Sequence, residues 1–402
     1  MSARPKGSSP LSLDDREDKG TSNVWGDFAS SRVVEGLRHQ LAQGAPAHSW
    51  LLLGPRGSGK RAVATAIAAA LNCPVTPGIG CGTCLSCTRT LRGRHPDVHN
   101  ISPEGLIIAV DVIREAVIPE AARSTFEARY KVFVIEEADR MNDAAQNALL
   151  KTLEEPQHDT VFVLISDNEE ELLETLRSRC RIVHLEPVSE EQIVELLEQG
   201  GAAREHALVA ARASEGDLQR ARALVFDEAA GARRALWASL PARLSSPLAA
   251  LDAAAEVLDQ ARQAARARER AQRAEVSELA EAMGEGRGTG AARNALAKRH
   301  RRELKRIEEE VLGEALFYVA SFYRDAVALR AGGRAAVTNL DAVDFLEWWA
   351  RSALSDRSLL AASERCLAAR ASFEFNANPT LAVESALVEL TLLISPPVGT
   401  PA

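Results

Sequence analysis

An open parallel α/β sheet followed by two helical units is the fold class that three observations predict. A glycine-rich loop, Gly54-Pro55-Arg56-Gly57-Ser58-Gly59-Lys60-Arg61, sits between an apolar run and a helical pattern. From Val24 to about Pro187, short apolar runs alternate with helical periodicity, as expected for parallel strands joined through covering helices. Beyond Pro187 the alternation stops and every pattern reads helical.

The predicted strands are 50–54, 98–101, 131–136, 160–166 and 181–185, all apolar runs of strand length. The predicted helices between them are 58–71, 109–121, 143–155 and 169–177. Ser189-Glu190-Glu191-Gln192 is a capping box and opens a small helical unit, 188–226. Further on, 261–282 is Ala-rich and densely charged, 284–290 is a Gly-rich flexible break, and 293–330 resumes as a long helix, apolar around 312–327. A last amphipathic helix, 381–393, follows Asn378-Pro379-Thr380. The charged stretch reads as a solvated helical hairpin in preference to a nucleic-acid arm. The expected divisions are a leader at 1–22, an α/β domain at 23–187 with a cysteine insertion at 73–87, a small helical domain at 188–234, and a larger helical domain at 235–402 with a charged hairpin at 261–310.

Composition narrows the function. A chain of 402 residues suffices for two or three domains with cores of their own. It is 46% apolar and 26% charged with a net charge of −8, which argues against wholesale coating of nucleic acid. No run of 18 apolar residues is present, so no membrane helix is predicted. Residues 1–22 are polar and lack an apolar core, which predicts a disordered leader and not a secretory signal. A cytoplasmic location and reduced cysteines follow as expectations.

The loop at 54–61 fits the phosphate-binding pattern G-x-x-x-x-G-K at Gly54, Gly59 and Lys60, with Gly57 inside it. Backbone N–H groups and a helix N-terminus would face phosphate oxygens there, and Lys60 would add a point charge. Arg61 stands where a Ser or Thr hydroxyl would bind Mg²⁺. ATP or ADP is therefore a possible ligand, with the metal end altered. In Lys131-Val132-Phe133-Val134-Ile135-Glu136-Glu137, an apolar strand runs into two acids. The first usually is Asp and orients the metal shell. Glu136 replaces it, and its extra methylene shifts the carboxylate in a chemistry intolerant of displacements of about 1 Å. Glu137 is the candidate base. Cys73, Cys81, Cys84 and Cys87 form C-x7-C-x2-C-x2-C, a four-thiolate set suited to structural zinc, with disulfides as the competing reading. Cys180 and Cys366 are expected to be ordinary buried cysteines. Arg179, in Ser178-Arg179-Cys180 after a predicted helix, is either a helix-dipole partner or a group that reaches a neighbouring subunit's nucleotide.

Together these residues resemble the AAA+ subunits of the bacterial DNA polymerase III clamp loader, the delta-prime type above the gamma and tau type. The carriers are the cysteine insertion, Glu136-Glu137-Ala138-Asp139-Arg140-Met141, Leu150-Lys151-Thr152-Leu153-Glu154-Glu155-Pro156 and Ser178-Arg179-Cys180. The resemblance implies a nucleotide-binding-type domain, a helical lid and a helical collar that joins subunits in a ring. It implies gamma or tau and delta subunits as partners, with the sliding clamp and primed DNA reached through the assembled loader. It implies Ser166 at the sensor-1 place and Arg179 as an arginine finger acting in trans. Arg61, Glu136 and Gln219, which stands where a sensor-2 Arg is usual, all point to weak hydrolysis in cis. Two rivals stay open: a gamma-type ATPase that tolerates Arg61 and Glu136, and a zinc-dependent DNA-binding module, which the acidity and the lack of aromatic–basic interleaving disfavour.

Overall fold

The computed structural model describes residues 23–28, 31–44, 46–103, 107–156, 159–283, 289–375 and 377–394. The predicted leader and residues 284–288 of the predicted break lie outside them. Apart from two short loop tips, the chain divides between Leu185 and Glu186 into two compact units.

The first unit is a five-stranded parallel sheet in the order β2-β3-β4-β1-β5. Its strands are β1 (Ser49–Leu53), β2 (Val98–Ile101), β3 (Lys131–Ile135), β4 (Thr160–Ser166) and β5 (Arg181–His184). The three central strands are buried on both faces, which is why they read as continuous apolar runs. Side chains alternate between two cores. Trp50, Leu52, Val132, Val134, Val161 and Val163 pack on one face, together with α1 (Arg32–Ala42) and α2 (Lys60–Leu71). Leu51, Leu53, Phe133, Ile135, Phe162 and Leu164 pack on the other, beneath α5 (Asp143–Glu154). Parallel register sets Leu53 opposite Ser166 and Ile135 opposite Leu164. Residues that follow β1, β3 and β4 therefore emerge at one edge of the sheet, the carboxyl edge where such sheets bind ligands.

The remaining helices of this unit are α3 (Leu85–Leu91), α4 (Ile118–Ala121) and α6 (Glu174–Arg177). Two expectations are corrected. Helix 109–121 is interrupted by a π-helical stretch, Val112–Val117, before α4. Helix 169–177 shrinks to Glu174–Arg177, because the Leu173 N–H bonds the Gln146 side chain and Asn168 caps a turn at Glu170. Neither α1 nor α3 was expected.

Asp97, buried just before β2, accepts the N–H groups of Phe126, Glu127 and Ala128 at 2.6, 2.9 and 2.9 Å. Burial works to raise its pKa, but these three N–H groups and His95 hold it below the usual carboxylate value. Asp97→Ala leaves the donors without an acceptor and should cost about 2–3 kcal/mol in urea unfolding. A folded pKa below the unfolded one means that this contribution is complete above about 4. It is lost as pH falls from there through the folded value, and the variant should not show that loss.

The second unit is helical throughout. Helices α7 (Glu190–Gln199), α8 (Arg204–Ser214) and α9 (Leu218–Phe226) share a small core around Ile193, Leu197, Ala210 and Leu218. The Ser189–Gln192 capping box forms as predicted. A larger core joins α10 (Glu228–Arg243), α11 (Pro247–Met283), α12 (Thr289–Arg330), α13 (Val343–Ala350), α14 (Asp356–Ser372) and α15 (Pro379–Leu393). At its centre Phe322, Tyr323 and Trp349 stack edge to face. Glu303 on α12 takes Arg268 and Gln272 from α11, so the charged helices lie side by side as a hairpin. Gly290, read as part of the break, already lies in α12.

Candidate functional site

The glycine-rich loop leaves β1 at Gly54 and enters α2 at Lys60. Gly57 and Gly59 hold φ of +83° and +79°, which side chains rarely adopt. At Gly59 the Phe28 ring also fills the space a Cβ would need. The loop therefore has the tight geometry its spacing demands.

Lys60 is 6% exposed. Its Nζ donates to the carbonyls of Gly54 at 2.5 Å and Pro55 at 2.7 Å, and lies 2.8 Å from Asp167 Oδ1. Asp167 follows β4 directly and was not foreseen. Only the strand order, which sets β4 beside β1, could have found it. Ser166, which the resemblance puts at the sensor-1 place, has its hydroxyl on its own loop, donating to Asn168 O and accepting Asn168 N–H.

The two departures from the motif meet. Arg61 Nε lies 2.9 Å from Glu136 Oε1, with the arginine side chain 68% exposed and the glutamate side chain 8% exposed. Glu136 is fixed where β3 ends, its N–H bonded to Ile101 O. A Mg²⁺ shell needs a hydroxyl at 61 and an uncommitted short carboxylate at 136. Here a cationic fork occupies the first position and engages the second, so these residues do not fit the metal. Glu137 has φ of +51°, and its carboxylate sits 2.8 Å from Arg140 Nε.

Arg179 lies in the three-residue link between α6 and β5. Its guanidinium donates through Nε to Glu154 Oε1 at 2.6 Å, forms a second bond from Nη2 to the same oxygen, and caps Thr175 O at 2.6 Å. It is about one-third exposed. In the second unit, Gln219 sits in the first turn of α9, which Asp217 caps, while Arg220 stacks on Phe317 at 5.1 Å.

The cysteines converge. The sulfurs of Cys73, Cys81, Cys84 and Cys87 all lie within 4.8 Å of one another, and Cys73 and Cys84 are 4.0 Å apart. A tetrahedron with metal–sulfur bonds of about 2.3 Å has edges of about 3.8 Å, so this set is close to ligating geometry. All four are free thiols. Backbone N–H groups of Thr76 and Cys81 point at Cys73 Sγ, that of Cys84 at Cys81 Sγ and that of Cys87 at Cys84 Sγ. Burial pushes Cys73 up, yet the Thr76 hydroxyl and three N–H groups bring it down to about 6. Trp25 Nε1 donates to Ile79 O at 2.8 Å and ties the N-terminal segment onto the insertion. The donors fit a metal that prefers soft ligands. Among the described residues no other group of three or more candidate ligands is gathered. Cys366 is buried, and burial pushes it to about 12. Cys180 is only partly buried, and burial likewise pushes it to about 12.

No helix among the described residues is long and apolar enough to cross a membrane. Residues 29–189 match the family described as DNA polymerase III, delta subunit. The delta' subunit of Bacillus subtilis DNA polymerase III is 35% identical over 42% of this chain and 51% of its own length. That of Escherichia coli is 37% identical over 48% and 59%. The gamma subunit of Buchnera aphidicola (subsp. Schizaphis graminum) is 34% identical over 41% and 45%. The chain thus spans about half the length of these relatives. A solved Thermotoga maritima gamma-subunit-related structure covers 89% of this chain at 19% identity with a TM-score of 0.41, too loose a likeness to add to the assignment. Over residues 29–189, the chain is similar to the delta-prime subunits of DNA polymerase III.

Proposed function

We propose that this chain is a delta-prime-type subunit that supports ATP-dependent loading of a sliding clamp on primed DNA while hydrolysing little ATP itself. The observation that carries this reading is the Arg61–Glu136 ion pair, which commits to each other the two positions a hydrolytic metal site requires. Glu137, the candidate base, is likewise paired with Arg140. The partners are gamma or tau and delta subunits, in the cytoplasm. Residues 23–187 serve as the nucleotide-binding-type domain, 188–234 as a lid and 235–402 as the collar that joins neighbours. Arg179 acts in trans on an adjacent subunit's ATP. The four cysteines hold a structural zinc, which supplies cross-linking and no chemistry, since four thiolates leave no open position.

The test is assembly. Purified chain mixed with gamma or tau and delta should elute as one complex, and elution as a lone monomer overturns the proposal. The gamma-type alternative predicts steady Mg-ATP turnover by the isolated chain, abolished by Lys60→Ala. The similarity to a gamma subunit is what keeps it in view.

A further inference from the structure

The Arg61–Glu136 pair has a second consequence, which rests on the phosphate-loop reading but not on assembly into a loader. We propose that the guanidinium of Arg61 takes the place of the divalent cation, so that the Lys60 loop binds the phosphates of a nucleoside di- or triphosphate without metal.

The argument is one of charge and shape. In a metal-using loop, the hydroxyl after the lysine and the strand-end carboxylate are neutral and −1, and Mg²⁺ brings their sum to +1. Arg61 and Glu136 sum to zero with no metal. The site is therefore one unit more positive than an empty metal site and one unit less positive than a loaded one. Glu136 is almost wholly buried, so its carboxylate needs a cation. Arg61 meets that need from within the chain, using Nε, while two-thirds of its side chain stays exposed. The guanidinium is a planar fork well matched to phosphate oxygens. An incoming Mg²⁺ finds no hydroxyl ligand, a carboxylate already engaged, and a like charge beside it. The rest of the cradle is intact: Gly57 and Gly59 keep the left-handed turns, and Lys60 is already at the loop. Asp167 holds Lys60 at 2.8 Å and must yield it to phosphate, which makes Asp167 a competitor for the ligand.

The experiment is calorimetric titration of the full chain with ATP, ADP and inorganic pyrophosphate, in excess EDTA and then in excess Mg²⁺. The expected result is saturable binding of ADP or ATP below about 1 mM in EDTA, with Mg²⁺ changing the affinity by no more than about twofold. Arg61→Thr should weaken binding in EDTA by about tenfold or more, the size of one lost charge-assisted contact, and make it rise when Mg²⁺ is added. Asp167→Asn should tighten it in both buffers. Two results overturn the proposal: wild-type binding that appears only with Mg²⁺, or no binding of any of the three ligands in EDTA. Thermal unfolding of each variant separates a lost contact from a lost fold. Because the chain is assayed alone, failure here leaves the clamp-loader reading standing, and failed assembly leaves this one standing.

Discussion

Arg179→Ala, introduced in this chain alone, is expected to slow ATP hydrolysis at the one adjoining site of a reconstituted loader by about 10³-fold or more. The link that carries the residue is stiff. The N–H groups of Arg179 and Cys180 close back onto Leu176 and Arg177 carbonyls, so the Cα position is fixed and only the side chain has to move. In the isolated chain the guanidinium rests on Glu154 and on Thr175 O. Leaving Glu154 is inexpensive, since a partly exposed ion pair is worth about 0–1 kcal/mol. A finger on a transferring phosphoryl group is worth about 4 kcal/mol or more at the stated rate factor. The second quantity decides, so the resting contact does not argue against a role in trans. Arg179→Lys should fail almost as badly, because a lysine keeps the charge without the fork. Glu154→Ala should leave the rate nearly unchanged. If Arg179 is only a helix-end partner, both Arg179 variants would lower thermal stability and leave phosphate release alone. Lys60→Ala is the internal control: loss of loader turnover through that change would move catalysis into this chain.

Much of the first unit was legible because parallel strands buried on both faces must be apolar throughout, as Trp50–Leu53, Val132–Ile135 and Val161–Ile165 are. Motif residues at strand ends follow from the same logic. What could not be read was the meeting of side chains from distant positions. Arg61 and Glu136 were each seen as departures, but their ion pair depends on the strand order that sets β4 between β1 and β3. The Asp167–Lys60 contact depends on the same order. The shortened α6 reflects tertiary override: Glu169-Glu170-Glu171 is helix-compatible, yet Gln146 on α5 captures the Leu173 N–H and delays the helix start. Helix α3 was hidden inside the cysteine pattern, whose Cys84 doubles as its N-cap. In the second unit periodicity located the long helices. The fork of Arg234 on Asp341, with Tyr318 beneath it, brings together residues more than a hundred positions apart, and local pattern holds no trace of it.

Cys84→Ser should be the most damaging single change to the first unit. Purified wild-type chain is expected to carry one zinc, and the variant well under one. Four sulfurs within 4.8 Å could all be thiolates only with a cation joining them, and the N–H groups aimed at Cys73, Cys81 and Cys84 are placed to steady sulfur anions. None of the four is disulfide-bonded in the observed arrangement, and Cys73 and Cys84 stand 4.0 Å apart where a bond needs about 2.05 Å. Cys84 also caps α3, and the insertion is tied to α2 through Gly78 N–H to Ala70 O and to the N-terminal segment through Trp25. Losing the metal therefore frees three attachments at once. A loss on the order of 5 kcal/mol follows from the coupling of metal binding to folding. For a unit of this size it corresponds to a fall of roughly 10–20 °C in Tm. The decisive control is a chelator: with zinc stripped, wild type and Cys84→Ser should melt together, because only the metal distinguishes them. Acid should act in the same direction. Protons compete with the metal for the thiolate sulfurs, so the metal is held less tightly as pH falls. A variant that melts with wild type in zinc-replete buffer would mean that packing of the cysteines, and not a metal, holds the insertion.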